Sequence, residues 1–352
     1  MSTLFTPLTV RGIEMRNRLW VSPMCQYSAV DGIPNDWHHV HLAQFAAGGA
    51  GLVIAEATAV SPEGRISPDD VGLWNDAQVE AWTPIVAAIR ARGAVAGVQL
   101  GHAGRKASTT SPLTGGRGSV AVEDGGWTTV APSAIAYPGF TEPRELDAAG
   151  IEKVVSDFAD AARRAVAAGF EVLEIHAAHG YLLHQFLSPL SNHRDDEYSG
   201  SFDGRVRLLE RVTAAVREAA PDAAVFVRFS GTDAADGGWD IDDTVRAASR
   251  VAAAGTDLVD VSSGGLVPHQ SIQPGPGYQV PLAEKVRRET GILVAAVGMI
   301  DDARLADSVI AEGRADAVLS AREWLRDPHY ALRAAVELGA EVPAPAQYLR
   351  AY

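Results

Sequence analysis

The chain has 352 residues, a formal net charge of −14 and a single cysteine, Cys25. One cysteine excludes internal disulfides and clusters held by several cysteines, and so negative a chain lacks the basic face that nucleic acids require. Because the sequence has no apolar run long enough to cross a bilayer and no signal-peptide pattern, we expect a cytoplasmic protein that acts on small molecules.

Short apolar runs alternate with helical patterns along the chain, and their Val, Ile, Leu and Ala content is typical of strands buried on both faces. A hairpin is predicted first, at Leu8–Met15, turning near Arg11-Gly12. We then predict eight strands: Leu19–Met24, Leu52–Glu56, Ala94–Leu100, Val172–His176, Ala224–Phe229, Leu258–Val261, Leu293–Val297 and Ala317–Leu319. The helical stretches between them include Glu80–Arg92, Ile151–Ala168, Val206–Ala219, Thr244–Ala254 and Ala303–Ala311, and several end at a glycine: Gly93, Gly169, Gly255 and Gly313.

Eight strand–helix units in one chain of this size predict an α/β fold, the (β/α)8 TIM barrel. A doubly wound sheet would want a G-x-G-x-x-G turn after an early strand, and Gly48-Gly49 instead precedes a strand, where it more readily ends a helix. We therefore predict one domain over residues 1–352, with the hairpin closing the barrel bottom. Two long loops, 101–145 and 262–280, follow the third and sixth strands, where lids and binding loops are usual.

Three groups that can donate hydrogen bonds or protons follow the fourth predicted strand, in the motif H-A-A-H-G-Y that contains His176, His179 and Tyr181. Two imidazoles can hold one oxygen atom, and a phenol beside them can deliver a proton. The motif suits addition of hydride and proton across a double bond conjugated to an oxygen-bearing group. No side chain supplies a hydride, so this chemistry needs a cofactor.

Other polar groups stand at the ends of the remaining predicted strands. Gln99 can donate and accept toward a planar heterocycle, and Arg228 offers a permanent charge near the barrel axis. Gly298 and Arg322 follow the seventh and eighth strands, where barrels often bind phosphate.

At these positions the chain resembles the Old Yellow Enzyme family of FMN-dependent ene-reductases, in particular its thermophilic-like subgroup with a cysteine in the first strand. The resemblance runs from F-T-P-L-T at Phe5 to P-A-P-A-Q-Y-L-R at Arg350. Its most specific parts are S-P-M-C-Q-Y, E-A-T-A-V, H-A-G-R-K and the long motif that begins H-A-A-H-G-Y-L-L-H-Q-F.

The resemblance implies a tightly but non-covalently bound FMN and assigns a role to each matching residue. It places Ser22, Pro23, Met24 and Cys25 along the flavin, with Cys25 tuning its reactivity; Ala57, Gln99 and Arg228 at the ring; and Gly298, Ala321 and Arg322 at the phosphate. It implies that His176 and His179 bind the carbonyl or nitro oxygen of the substrate and that Tyr181 donates the proton. It also implies that Tyr27 lines the substrate pocket. Arg350, on a tail of about 340–352, would reach a neighbouring subunit's site in a homodimer or homotetramer.

The implied activity is a ping-pong cycle. NADPH, or alternatively NADH, reduces the flavin; an α,β-unsaturated aldehyde, ketone, maleimide or nitro compound then takes a hydride at Cβ and a proton from Tyr181 at Cα. The sequence departs from the family at one phosphate position, because Ala321-Arg322 stands where Gly-Arg is usual. We expect the methyl group of Ala321 to shift the phosphate slightly and so to affect the affinity for FMN.

Two other functions fit parts of the sequence. A metal-dependent hydrolase or lyase could use His176, His179 and His184, but catalytic zinc usually has three protein ligands and no carboxylate is obviously paired with these histidines, so we predict no metal. A scaffold that binds flavin without catalysis would also keep the barrel.

Three smaller features have both structural and functional interpretations. The D-W-H-H-V-H segment predicts the first turn of a helix capped by Asp36, with partly exposed histidines. Arg105 and Lys106 are either solvated charges or ligands of the NADPH phosphates. Cys25, apart from the resemblance, would be an inert buried thiol.

Overall fold

The structure, a computed structural model, describes residues 2–116, 118–341 and 344–352. Met1, Arg117 and two residues of the predicted tail, Val342 and Pro343, lie outside the described residues. No helix within the described ranges is long and apolar enough to cross a membrane.

The strands confirm the predicted barrel. They are β1 (Leu8–Val10), β2 (Ile13–Met15), β3 (Leu19–Val21), β4 (Leu52–Ala59), β5 (Val95–Gly101), β6 (Val130–Ala131), β7 (Arg144–Glu145), β8 (Val172–Ala177), β9 (Ala224–Ser230), β10 (Leu258–Ser262), β11 (Leu293–Val297) and β12 (Ala317–Ser320). Eight of them, β3, β4, β5 and β8 to β12, pair in parallel in chain order, and β12 closes the barrel on β3.

The helices surround the barrel. They are α1 (Asp36–Ala47), α2 (Asp76–Arg90), α3 (Ala148–Ala168), α4 (Leu182–Leu187), α5 (Phe202–Ala219), α6 (Ile241–Ala254), α7 (Val280–Thr290), α8 (Ala303–Ala311), α9 (Arg322–Arg326) and α10 (Tyr330–Leu338). Gly169 and Gly255 end α3 and α6 with positive φ, as predicted, and Gly48 ends α1. Helix α2 ends at Arg90 rather than Arg92, before the left-handed Gly93.

The hairpin closes the barrel bottom, as predicted. It turns at Arg11 and Gly12, both with positive φ, which is the backbone of a tight two-residue hairpin. Leu8, Val10 and Met15 join one buried cluster with interior residues such as Trp20 and Phe226. The lower interior of the barrel is therefore packed with apolar side chains.

The first barrel strand is shorter than predicted, ending at Val21 rather than Met24. The N–H of Ser22 still donates to the carbonyl of Ser320 at 2.9 Å. Pro23 has no N–H to donate, so the ladder stops there and the chain enters the mouth of the barrel as irregular backbone.

Both long loops leave the carboxyl ends of strands, as predicted. The first lies between β5 and α3 and contains the small parallel pair β6–β7, which the sequence analysis did not predict. The second lies between β10 and α7. The two loops flank the open end of the barrel.

Candidate active site

A polar layer lies inside the barrel above the apolar packing. Side chains alternate in direction along a strand, so residues two positions beyond the apolar interior face the barrel axis nearer the mouth. In this part of the barrel interior, near its open end, Gln99 Nε2 donates to Glu174 Oε1 at 2.8 Å. Arg228 Nε lies 3.0 Å from Asp260 Oδ2. Arg228 also donates from Nη1 to Ser22 Oγ at 3.1 Å. Three residues predicted to contact the flavin, Ser22, Gln99 and Arg228, thus lie in one layer with the two carboxyls.

Two buried carboxyls in this layer titrate above their ordinary range. Burial, then the charge of Asp260, raises the pKa of Glu174 to about 8. Burial raises the pKa of Asp260 to about 6, against the opposing effect of Arg228. At neutral pH we therefore expect Glu174 to keep its proton while Asp260 balances the charge of Arg228.

The segment after β3 faces the same space. Residues 23–28 are half-buried, in contrast to the fully buried strand before them. Burial, then Asp70 and Glu56, raises the pKa of the Cys25 thiol. Burial also raises the pKa of Tyr27, whose backbone is left-handed with φ +50°. Non-glycine residues held in that region are uncommon and concentrate at functional sites.

His176, His179 and Tyr181 form one cluster, as predicted. The His176 ring centroid lies 5.1 Å from that of His179 and 5.0 Å from that of Tyr181, and both ring pairs are edge-to-face. His179 has φ +58°, so its backbone turns the chain back across the end of β8. Its Nε2 is hydrogen-bonded to Ser262 Oγ at 2.8 Å, and Ser230 Oγ accepts from its backbone N–H at 2.9 Å.

Protonation in this cluster favours uncharged groups. Burial, then the charge of Arg228, lowers the pKa of both His176 and His179, so each ring is neutral at pH 7 and carries one N–H. Burial raises the pKa of Tyr181, which keeps its hydroxyl protonated. His176 Nδ1 is buried with no hydrogen-bond partner within the described residues. Such an atom is costly unless a ligand or water satisfies it.

Arg105 and Lys106 are not solvated charges. Arg105 is 3% exposed and donates to the carbonyls of Ile135 and Leu266. Lys106 Nζ donates to the carbonyls of His179, at 2.8 Å, and Gly265, at 3.0 Å. Both cations bind backbone and so tie the first long loop to the loops after β8 and β10.

His184 does not join the other two histidines. Its Nδ1 accepts from the N–H of Gly180 at 2.9 Å, and its Nε2 lies 2.9 Å from Asp233 Oδ1, so both ring nitrogens face protein groups. Within the described ranges no group of three or more His, Cys, Asp or Glu side chains could hold a metal ion.

The histidines of α1 differ from the prediction in two respects. Asn35, not Asp36, caps the helix, because its side chain accepts from the N–H groups of the first turn while its own N–H donates to His38. His38 and His41 are buried at 1% and 5% exposure rather than partly exposed. Helix α1 packs this face against α2 and β4, which the sequence alone does not reveal.

A cavity of about 150 Å³ lies beside the polar layer and contains all three predicted phosphate residues, Gly298, Ala321 and Arg322. Gly298 has φ +123°, and a Cβ there would lie 2.7 Å from Gln279 Nε2. Only glycine fits this backbone and leaves the cavity open. We call this cavity the phosphate cradle. Ala321 has φ −118° and ψ −80°, so its backbone lies outside the left-handed region that favours glycine.

These residues fit FMN. The cradle with Arg322 at its rim suits a phosphate, the polar layer offers donors and acceptors to a heterocycle, and the unsatisfied His176 Nδ1 lies near the open end. Arg350 is not part of this group, since it lies on the tail among His329, Tyr348 and Tyr352.

Glu174 and Asp260 were not predicted as site residues from the sequence. Each is a charged residue within an otherwise apolar strand, and each lies two positions before a polar residue at the strand end, His176 or Ser262. That spacing places both on the interior face and could have identified them. Glu56 was not predicted as a site residue either, because a bulge in β4 changes which way its side chain points.

Comparisons with known proteins show the family to which the chain belongs. Residues 3–341 match the family described as NADH:flavin oxidoreductase / NADH oxidase. The chain is 45% identical to the NADPH dehydrogenase of Geobacillus thermodenitrificans (strain NG80-2), covering 100% of this chain and 99% of the relative, and 43% identical to that of Bacillus subtilis (strain 168), covering 99% of each.

Solved structures show the same barrel. Morphinone reductase is 28% identical with a TM-score of 0.81, covering 98% of this chain and 91% of its own. The old yellow enzyme homologue from Zymomonas mobilis is 28% identical with a TM-score of 0.77, covering 97% and 94%. The chain therefore belongs to the Old Yellow Enzyme family of FMN-dependent NADH:flavin oxidoreductases.

Proposed function

We propose that the protein is an ene-reductase for activated C=C bonds in α,β-unsaturated aldehydes, ketones, maleimides or nitro compounds. NADPH and the alkene use one site in turn, in a ping-pong cycle. FMN, when bound, supplies the hydride that adds to Cβ. The chain's own side chains bind the substrate oxygen and deliver the proton.

The two histidines bind the oxygen. Hydride addition to an enone places negative charge on the carbonyl oxygen, and neutral imidazoles with fixed N–H groups can stabilise it as an oxyanion hole does. The edge-to-face contact of His176 and His179 supports this role, because two rings 5.1 Å apart can reach one oxygen between them.

Tyr181 delivers the proton to Cα. Its ring lies 5.0 Å from that of His176, so its hydroxyl stands beside the oxygen site. Because burial raises its pKa, the hydroxyl holds its proton until the developing carbanion takes it. The clustering of this phenol with the two neutral imidazoles is the observation that carries the proposal.

NADPH is the proposed reductant, with NADH as the alternative. Support comes from the relatives named NADPH dehydrogenase, which are 43% and 45% identical over nearly their whole length. Arg105 and Lys106 bind backbone carbonyls, so they give no support for recognition of NADPH phosphates.

The visible spectrum of the purified protein tests the proposal. Under anaerobic conditions, we expect a flavin band that bleaches with NADPH and returns when cyclohexenone is added. Bound flavin that no activated alkene reoxidises would favour the scaffold function, and protein that stays colourless after incubation with FMN would contradict the proposed cofactor.

We also propose that Arg350 acts in a neighbouring subunit's site, in a homodimer or homotetramer. The tail carries exposed apolar side chains, Leu349 and Tyr352, which suit an interface. Co-expression of Tyr181→Phe and Arg350→Ala chains tests this. A mixed oligomer contains a site with an intact Tyr181 and the partner's intact Arg350, so we expect activity above either variant alone. Activity no higher than the better variant would contradict it.

A further inference from the structure

The Met24–Ser28 segment, which carries Cys25 and Tyr27, is irregular backbone held by polar contacts from outside the barrel. Asn35 Nδ2 donates to the carbonyl of Ser28 at 2.6 Å, and Trp37 Nε1 donates to Gln26 Oε1 at 3.1 Å. Both residues stand at the start of α1. The left-handed Tyr27 persists only because its surroundings hold it there.

Glu56 makes the most buried of these contacts. It lies in β4, where the register with β5 shifts between Ala55 and Ala57. Because of this bulge Ala57 pairs with Gln99 on the interior face, while the carboxyl of Glu56 reaches the Met24–Ser28 segment. Glu56 Oε2 accepts from the backbone N–H of Gln26 at 2.8 Å, and the residue is 4% exposed.

His38 faces the other carboxyl oxygen of Glu56, Oε1. Its Nδ1 accepts from the N–H of Asn35 at 3.0 Å, so in the neutral ring the proton is on Nε2. Nε2 lies 3.4 Å from Glu56 Oε1 and has no other partner within the described residues. The cap of α1 thus sets the tautomer that presents an N–H to Glu56.

We propose that the buried Glu56–His38 pair is a positioning device for the flavin-facing residues Cys25 and Tyr27, acting through the backbone N–H between them. The inference rests on the proposed placement of Cys25 and Tyr27 beside the flavin. Neither Glu56 nor His38 touches the reacting atoms in this proposal; they hold the segment that does.

The same carboxyl also acts on the thiol. Cys25 is faced by Glu56, Asp70 and Tyr27, and the two carboxyls both raise the pKa of the thiol after burial does. Burial raises the pKa of Glu56 itself to about 8. Removing Glu56 should therefore loosen the segment at any pH and, above about pH 8 where this carboxyl is ionised, also make the Cys25 thiolate easier to form.

Two variants of the FMN-loaded protein separate these effects. Glu56→Leu removes the acceptor of the Gln26 N–H at similar volume, whereas Glu56→Gln can keep an acceptor there. The matched control is Glu80→Gln, which makes the same carboxyl-to-amide substitution on the exposed face of α2. His38→Gln serves if neither Glu56 variant folds, because it leaves the Glu56–Gln26 bond in place.

The first readout is alkylation of Cys25 by iodoacetamide. Cys25 is the single cysteine, so all labelling reports on it. We expect the rate to rise about tenfold or more in Glu56→Leu, less in Glu56→Gln and not in Glu80→Gln, since the thiolate is the reacting form. Equal rates in all three would overturn the proposal.

The second readout is the flavin reduction potential in a double-mutant cycle. Cys25→Ala shifts the flavin reduction potential of the parent protein by a measurable amount if Cys25 lies at the flavin. If Glu56 positions Cys25, that shift in potential should fall to less than half of its parent value in the Glu56→Leu background and keep its full value in the Glu80→Gln background. An undiminished shift in Glu56→Leu would overturn the inference, because a merely structural role leaves it intact. If Cys25→Ala causes no shift in the parent protein, the placement of Cys25 at the flavin is wrong, and the alkylation rates alone then decide whether Glu56 holds the segment.

Discussion

Gly298→Ala is the substitution whose effect the structure defines most closely. The residue has φ +123°, a backbone conformation reserved for glycine, and we estimate a cost of about 1–3 kcal/mol for any side chain there. The added Cβ would also lie 2.7 Å from Gln279 Nε2 and 3.1 Å from the Tyr278 ring, so Gln279 must move.

Moving Gln279 breaks the two shortest hydrogen bonds of its side chain. Its Nε2 donates to the carbonyl of Val297 at 2.9 Å, and its Oε1 accepts from Ser263 Oγ at 2.6 Å. At about 1 kcal/mol for each bond, the substitution should lower the free energy of unfolding by about 4 kcal/mol. The methyl group and displaced amide would also intrude on the proposed phosphate cradle, so we expect FMN affinity to fall at least about tenfold.

Gly291→Ala is the matched control. Gly291 has φ +72° with nothing within 4 Å of an added Cβ, so it carries a backbone cost of about 1–2 kcal/mol and no clash. Urea unfolding and fluorimetric FMN titration of both variants measure the two effects. If Gly298→Ala binds FMN as tightly as Gly291→Ala does, the assignment of the cradle is wrong.

Three further predictions follow from the site. Tyr181→Phe should slow reoxidation by cyclohexenone at least about a hundredfold while leaving reduction by NADPH within a few-fold; equal losses in stopped-flow measurements of the two half-reactions would remove Tyr181 as proton donor. His176→Ala and His179→Ala should each lower the rate with enones about 10²–10³-fold and abolish the charge-transfer band with phenols, and a retained band would exclude them from the oxygen site. Glu174 should make a contribution to stability that is lost as the pH rises from about 4.5 to about 8, because the folded protein holds a proton on this carboxyl that the unfolded chain releases near its ordinary pKa. Glu174→Gln should reduce this loss by up to about 1.4 kcal/mol per pH unit in urea unfolding at a series of pH values, whereas the exposed-site variant Glu80→Gln should leave it unchanged.

Local patterns predicted the barrel well because its strands and helices are set by periodicity. Strand β11 and helix α8 lie where the sequence placed them, and the glycine after α3 ends that helix as predicted. The arrangement of His176, His179 and Tyr181 was also predictable, because the three residues lie within six consecutive positions at the end of one strand.

Features that depend on distant parts of the chain were not predictable in this way. The sequence leaves Arg105 and Lys106 as either solvated charges or phosphate ligands, whereas in the structure they donate to carbonyls of the loops after β8 and β10. His38 looks like part of an exposed first turn until α1 packs against β4 and meets Glu56. In each case the partner lies far along the chain or beyond a bulge that local periodicity does not show.

The sequence by itself determined the number and order of the eight barrel strands and the polar residue types at the end of each strand. Only the tertiary structure decided which polar groups are buried together, such as Glu174 with Asp260 and Arg228, and therefore which of them keep their protons. The physical reason is that hydrophobic periodicity is a local property of the chain, whereas burial and charge depend on every element that packs around a group.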